Sequence, residues 1–277
     1  MVIDQSHKRK FAVFYTACFL VSYAWLFFNH LLFHQLQPVF FLNRLDLTLN
    51  LFFVTGIQQA IKNNYGIQLL FDLLYLLLPL LTLGFINSRR GGIMAALHAV
   101  FNLVYALLLS SFTPLSIAGF AGWILLPWIL VPSSAKGFYF MMHAMRYIFL
   151  LFFFSAGLWK IRTGALFHSG QMSAILVHQH AVYLADAPGN WFSRIIQYLI
   201  MHKNISYLLY LLVTLLELVF VAGFFTKKYD RWLAGFFVLF VLFDFVLMRI
   251  NYFAWVAFLG CFWFSRHEEP GAEEIKT

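Results

Sequence analysis

The chain has 277 residues, of which 62% are hydrophobic, 20% aromatic and only 11% charged, with a formal net charge of +8. So much apolar surface does not fit inside one water-soluble core, which excludes an ordinary soluble enzyme and places the chain in a bilayer. The positive charge sits in short clusters between apolar runs, where it orients spans and meets anionic lipid; no nucleic-acid partner is expected.

In chain order, the basic "SHKRK" leads into an apolar run at 11–33. That run is too long for a signal peptide and lacks a small-residue cleavage site, so it is read as an uncleaved span. Runs able to cross roughly 30 Å of hydrocarbon follow at 66–86, 92–112, 138–159, 205–225 and 232–250, with shorter ones at 117–131 and 251–264. The separators "NSRRGG", "TPLS", "VPSSAKG" and "TKKYDR" read as turns. The predicted fold is all-α, a polytopic bundle of about six to eight transmembrane helices with interfacial helices on the outer side. One membrane domain is expected over 1–265, followed by a polar tail at 266–277.

With eight spans and the N-terminus inside, eleven basic residues fall on the inner side and seven on the outer, with Arg146 within a span. The bias predicts both termini in the cytoplasm and puts the longer segments 34–65 and 160–204 outside. In those segments Leu45, Leu49, Phe52 and Phe53, and then Trp191, Ile195, Tyr198 and Leu199, recur at helical spacing, as in helices lying in the interface.

Ionisable groups inside apolar runs need a partner or a purpose, because a charge at the bilayer centre costs at least about 2.5–3.5 kcal/mol on insertion scales. His30 with His34, His98 with Asn102, and His143 with Arg146 are spaced to share helix faces. Asp72, Glu217 and Asp244 are the expected counter-ions of Arg146 or Arg249. Cys18 and Cys261 lie in apolar segments without ligand spacing, so no metal and no disulfide framework is expected. Lys160 lies about 21 Å beyond Arg146 on the same helix. It either snorkels to headgroups or, with Ser155, Ala156 and Gly157 admitting a helix or a flat ligand, stands desolvated as a base.

"FFFSAGLWKI", the following "RTGALFHSGQMSAILVHQHAVYLADAP" and the closing "LLELVFVAGFFTKKYDRWLAGFFVLFVLFDFVLMRINYFAWVAFLGCFWF" resemble the membrane domain of vitamin K-dependent γ-glutamyl carboxylase and its bacterial relatives, the horizontally transferred transmembrane domain proteins. The resemblance implies a bacterial inner-membrane protein that binds a reduced, vitamin K-like quinone on its outer face. It implies Lys160 as the base, with His98, Asn102 and His143 as further catalytic residues and Arg146, Gly157 and Trp159 as cofactor contacts. Where the family carries two adjacent lysines this chain has Trp159 and Lys160, and the position of the family's late-helix histidine falls near Asp244. The alternative is a non-catalytic quinone- or lipid-binding subunit that assists a membrane or secreted protein; a transporter is the third reading.

Overall fold

The structure is a computed structural model and describes residues 5–36, 54–113 and 115–265. Among these residues there are helices and no strands. Six helices are long and apolar enough to cross a membrane: His7–Gln35, Tyr65–Phe85, Gly91–Phe112, Ala135–Arg162, Lys203–Phe225 and Asp230–Met248. Ile117–Leu130 and Phe253–Phe264 are shorter apolar helical stretches. The all-helical bundle expected from hydropathy is therefore present, and the chain is an integral membrane protein.

The distribution of polar residues agrees with a lipid surround. On Tyr65–Phe85 the buried positions are Gln68, Asp72, Tyr75, Pro79 and Thr82, while Leu69, Leu70, Leu73, Leu77, Leu80 and Leu81 face outward. Gly91–Phe112 likewise buries His98 and Asn102 and exposes Ile93, Leu97, Val100 and Leu103. A water-soluble bundle has the opposite polarity; here hydrocarbon takes the outside and polar groups must satisfy one another within.

The chain divides into two compact units, Met1–Met145 with Phe253–Thr277 and, separately, Arg146–Tyr252. The boundary falls inside one long helix. The first unit holds α1 (Gln5–Phe28), α2 (Ile57–Asn63), α3 (Tyr65–Phe85), α4 (Gly91–Phe112), the short α5 (Ala121–Leu125) and the start of α6 (Ala135–Arg162). The second holds the rest of α6, then α7 (Gln171–Asp186), α8 (Trp191–Met201), α9 (Lys203–Val219), α10 (Ala222–Phe225) and α11 (Asp230–Phe243). A π-turn, Asp244–Met248, extends α11, and α12 (Phe253–Val256) and α13 (Leu259–Phe264) return to the first unit.

In the first unit α1 stops at Phe28, short of its apolar run, and His30 takes a left-handed φ of 55°. His30 and His34 therefore do not share a helix face, contrary to their spacing. Asp72 gathers the chain beyond the break: its carboxylate accepts from the Phe33 N–H at 3.2 Å, the His34 N–H at 2.9 Å, His34 Nδ1 at 2.6 Å and the Tyr105 hydroxyl at 2.7 Å. Asp72 thus serves a local anchor and not Arg146 or Arg249.

In the second unit Arg146, 1% exposed, makes a two-pronged contact with Asp230, Nε to Oδ2 at 3.0 Å and an Nη to Oδ1 at 2.6 Å. The same Nη donates to the Gly223 carbonyl at 2.8 Å. An ideal Cβ at Gly223 would stand 2.5 Å from Leu150 Cδ2, so a larger residue there would have to displace the Leu150 side chain. Asp230 begins α11, where a helix N-terminus favours an anion. Phe149, Phe153, Phe220, Phe237 and Phe240 pack edge-on and tilted around α6, 4.8–5.8 Å between ring centroids.

The interfacial helix expected at 45–64 falls mostly outside the described residues, which include only its end, α2. The helix expected around Trp191 is present as α8; Ile196 and Leu199 pack inward, and Trp191, Ile195 and Tyr198 form an outward apolar face. Asp230→Asn is expected to weaken the second unit by about 3–5 kcal/mol by leaving Arg146 without its counter-ion. Thermal or detergent unfolding of the purified protein checks this, and an unchanged midpoint contradicts it.

Candidate functional site

Lys160 lies in the last turn of α6 and Glu217 near the end of α9. Its Nζ donates to Glu217 Oε1 at 2.8 Å and lies 2.8 Å from Oε2, which has no hydrogen-bond partner among the described residues. Glu217 is 3% exposed and the Lys160 side chain 22%. The Tyr210 ring, seven residues before Glu217 on the same face of α9, lies 5.2 Å from the Nζ. The helices approach closely because residue 157 is glycine: an added Cβ would meet Leu218 Cδ2 at 2.9 Å and Glu217 Cβ at 3.3 Å. A desolvated lysine acting as a base is one expectation from the sequence; in the structure the amine is one-fifth exposed and has a carboxylate partner.

This pair lines a cavity of about 560 Å³ that lies wholly within the second unit. Ser155, Ala156 and Trp159 of α6 form one wall, with Phe152, Met172, Ile175, Val213, Phe240 and Phe243 as apolar lining. Asp244, Met248, Ile250 and Tyr252 close it from the π-turn and the segment after it. The extra residue of a π-turn changes the direction of the side chains that follow, which is why such turns recur at functional sites. Here the turn is held by His180 of α7, which is fully buried and whose Nε2–H donates to the Leu247 carbonyl at 2.7 Å. Arg249, in a left-handed conformation with φ 55°, ends it.

Asp244 is 6% exposed, and no hydrogen bond or ion pair from the described residues reaches its side chain. Tyr252, beyond the last span, has its phenol pushed up to about 12, by burial first and then by the carboxylates of Asp244 and Glu217. It therefore stays a protonated hydroxyl at neutral pH.

The remaining predicted site residues are not assembled here. His98 and Asn102 belong to the first unit, where Asn102 Nδ2 donates to the Trp123 carbonyl at 2.7 Å and His98 Nε2 lies 3.4 Å from the Tyr15 hydroxyl. They complete a buried polar network and do not line the cavity. His143 is half-buried on the first-unit part of α6 and does not line it either. Arg146 is committed to Asp230 and Gly223, which corrects its reading as a cofactor contact. Gly157 serves helix approach and not the cavity wall, whereas Trp159 does line the cavity, with the Arg162 guanidinium 5.5 Å from its ring.

Tyr210 and Tyr252 were absent from the predicted site. The recurrence of Tyr210, Val213 and Glu217 on one helical face was a signal for the first, while Tyr252 follows an irregular segment that periodicity does not reach. Among the described residues no cluster of histidine, cysteine, aspartate or glutamate could hold a metal ion. Comparison with family models, with curated proteins and with solved structures finds no match.

Lys160→Met leaves the Glu217 carboxylate buried and alone, and is expected to lower stability by about 2–3 kcal/mol, less than for a fully enclosed pair because Lys160 is partly exposed. Removing both charges in Lys160→Met with Glu217→Leu is expected to recover most of that loss. A double-mutant cycle on unfolding measures the coupling, and additive effects contradict the pairing.

Proposed function

We propose that the Arg146–Tyr252 unit binds the polar head of a membrane-borne amphiphile, a lipid or a quinone, acting as a binding subunit. The observation that carries this reading is the cavity itself: apolar and aromatic walls close on the Lys160–Glu217 pair, Asp244 and Tyr252 within a unit built from transmembrane helices. Pockets of a few hundred cubic ångströms with apolar walls and a few converging polar groups are the usual form of a small-molecule site. The apolar lining accommodates a tail, and the polar end supplies both donors and acceptors to a head.

The quinol-coupled enzyme implied by the resemblance to the γ-glutamyl carboxylase membrane domain needs Lys160 as an uncommitted base. Its contact with Glu217 favours the binding role instead. The proposal keeps a reduced quinone among the candidate ligands, and membrane lipids and a membrane or secreted protein as partners. The proposal keeps a bacterial inner membrane as the setting; if the two shorter apolar helices also cross, giving eight spans, the basic-residue bias puts both termini in the cytoplasm and the Lys160 end outward.

Ala156 lies on the cavity wall, so Ala156→Phe is expected to fill the space with little effect on folding. Mass spectrometry of organic extracts from equal amounts of purified protein is expected to find a lipid or quinone that accompanies the parent chain and is depleted several-fold in the variant. Equal amounts in both, with both folded, contradict the proposal.

A further inference from the structure

The cavity is lined by two carboxyl groups, Glu217 and Asp244, and by one amine, Lys160. Lys160 contacts Glu217 at 2.8 Å, and Asp244 lies outside that contact. An ionised carboxylate in a water-poor site is strongly unfavourable unless a cation stands beside it. Arg249, five residues on, places its guanidinium 5.4 Å from the Tyr183 ring and does not line the cavity. Asp244 is therefore a buried polar side chain, more than nine-tenths enclosed, that lines a cavity and makes no hydrogen bond or close ion pair with the described residues, feeling the Lys160 charge only at longer range. Aromatic rings surround the same space: Phe152, Trp159, Tyr210 and Tyr252 all contribute to the lining, and ring faces attract cations.

We infer that the head bound in this cavity is a monocationic ammonium group, with Asp244 as its counter-ion. The inference rests on the amphiphile-binding reading above and selects within it. An anionic phosphate head is disfavoured, because the only lining cation is already paired with Glu217. The tail of the amphiphile takes the apolar walls, and the ammonium takes the place at Asp244 that no protein donor fills. An unsatisfied carboxylate reduces the stability of the empty protein, a common property of binding sites kept ready for a ligand.

The test uses the full chain purified in a non-ionic detergent and four probes: dodecylamine, dodecanol, dodecyl phosphate and ethylamine. Native mass spectrometry and thermal unfolding are expected to show dodecylamine retained and stabilising at a concentration at least about tenfold below dodecanol, with dodecyl phosphate and ethylamine weaker still. Asp244→Asn is expected to remove the preference for the amine over the alcohol while leaving the unliganded unfolding midpoint equal or higher, since no hydrogen bond is lost. If the variant fails to fold, the comparison of probes on the parent chain still decides. Equal binding of amine and alcohol, tighter binding of the phosphate, or an Asp244→Asn protein that keeps the preference overturns the ammonium assignment and leaves the amphiphile reading intact. Ethylamine binding as well as dodecylamine points to a soluble amine and overturns both, as does binding of none of the probes.

Discussion

The Lys160–Glu217 ion pair is the constraint on which the second unit depends. Two charges near hydrocarbon persist only when each supplies the other with what water would have given, so α6 and α9 are obliged to meet where these side chains meet. Gly157, one turn earlier on α6, removes the steric obstacle to that meeting, and Tyr210 adds a ring beside the ammonium. Farther back on α6, Arg146 and Asp230 solve the same problem more completely, with both partners buried and the Gly223 and Thr226 carbonyls accepting from the same Nη that contacts Asp230. One helix thus carries two cations whose partners lie on two different helices, and these pairs position the helices around the cavity. Lys160 is the less enclosed of the two, and its pair faces open space.

A helix bundle in lipid gains little from apolar contact between helices, because the tails outside are as apolar as the side chains inside. Specificity of packing then comes from polar groups that must find one another. In the first unit Asp72, His34 and Tyr105 do this, and Tyr15, Asn102 and the Trp123 carbonyl do it again. In the second unit Arg146 and Lys160 meet carboxylates and His180 meets the Leu247 carbonyl, while the Asp244 side chain makes no hydrogen bond to a described residue. Asp244 lines the cavity of that unit, which is the physical ground for treating the cavity as a site.

The spans were legible because hydropathy over twenty residues is a strong signal and the bilayer permits few alternatives. Lys160 was legible as the residue to watch, since a cation at the end of an apolar helix demands an explanation. The partners were less accessible to sequence reasoning. Asp230 sits in "TKKYDR", which reads as a solvated turn, yet it begins α11 and enters the interior to meet Arg146. His98 and Asn102 share a face of α4, as their spacing required, but spacing does not say which neighbour that face meets, and it meets Tyr15 and Trp123. The breaks were hidden for a related reason: His30 and the π-turn at Asp244 interrupt apolar runs at points where no glycine or proline marks the change.

The most direct measurement is an electron cryo-microscopy map of the protein in a lipid nanodisc, in which Lys160, Glu217 and Asp244 can be placed together with whatever fills the space between them. The account expects the Lys160 ammonium on the Glu217 carboxylate and elongated density in the cavity, its head within hydrogen-bonding reach, about 3 Å, of Asp244. A Lys160 side chain turned out toward the headgroups, with α6 and α9 closed over a collapsed and empty interior, would contradict it.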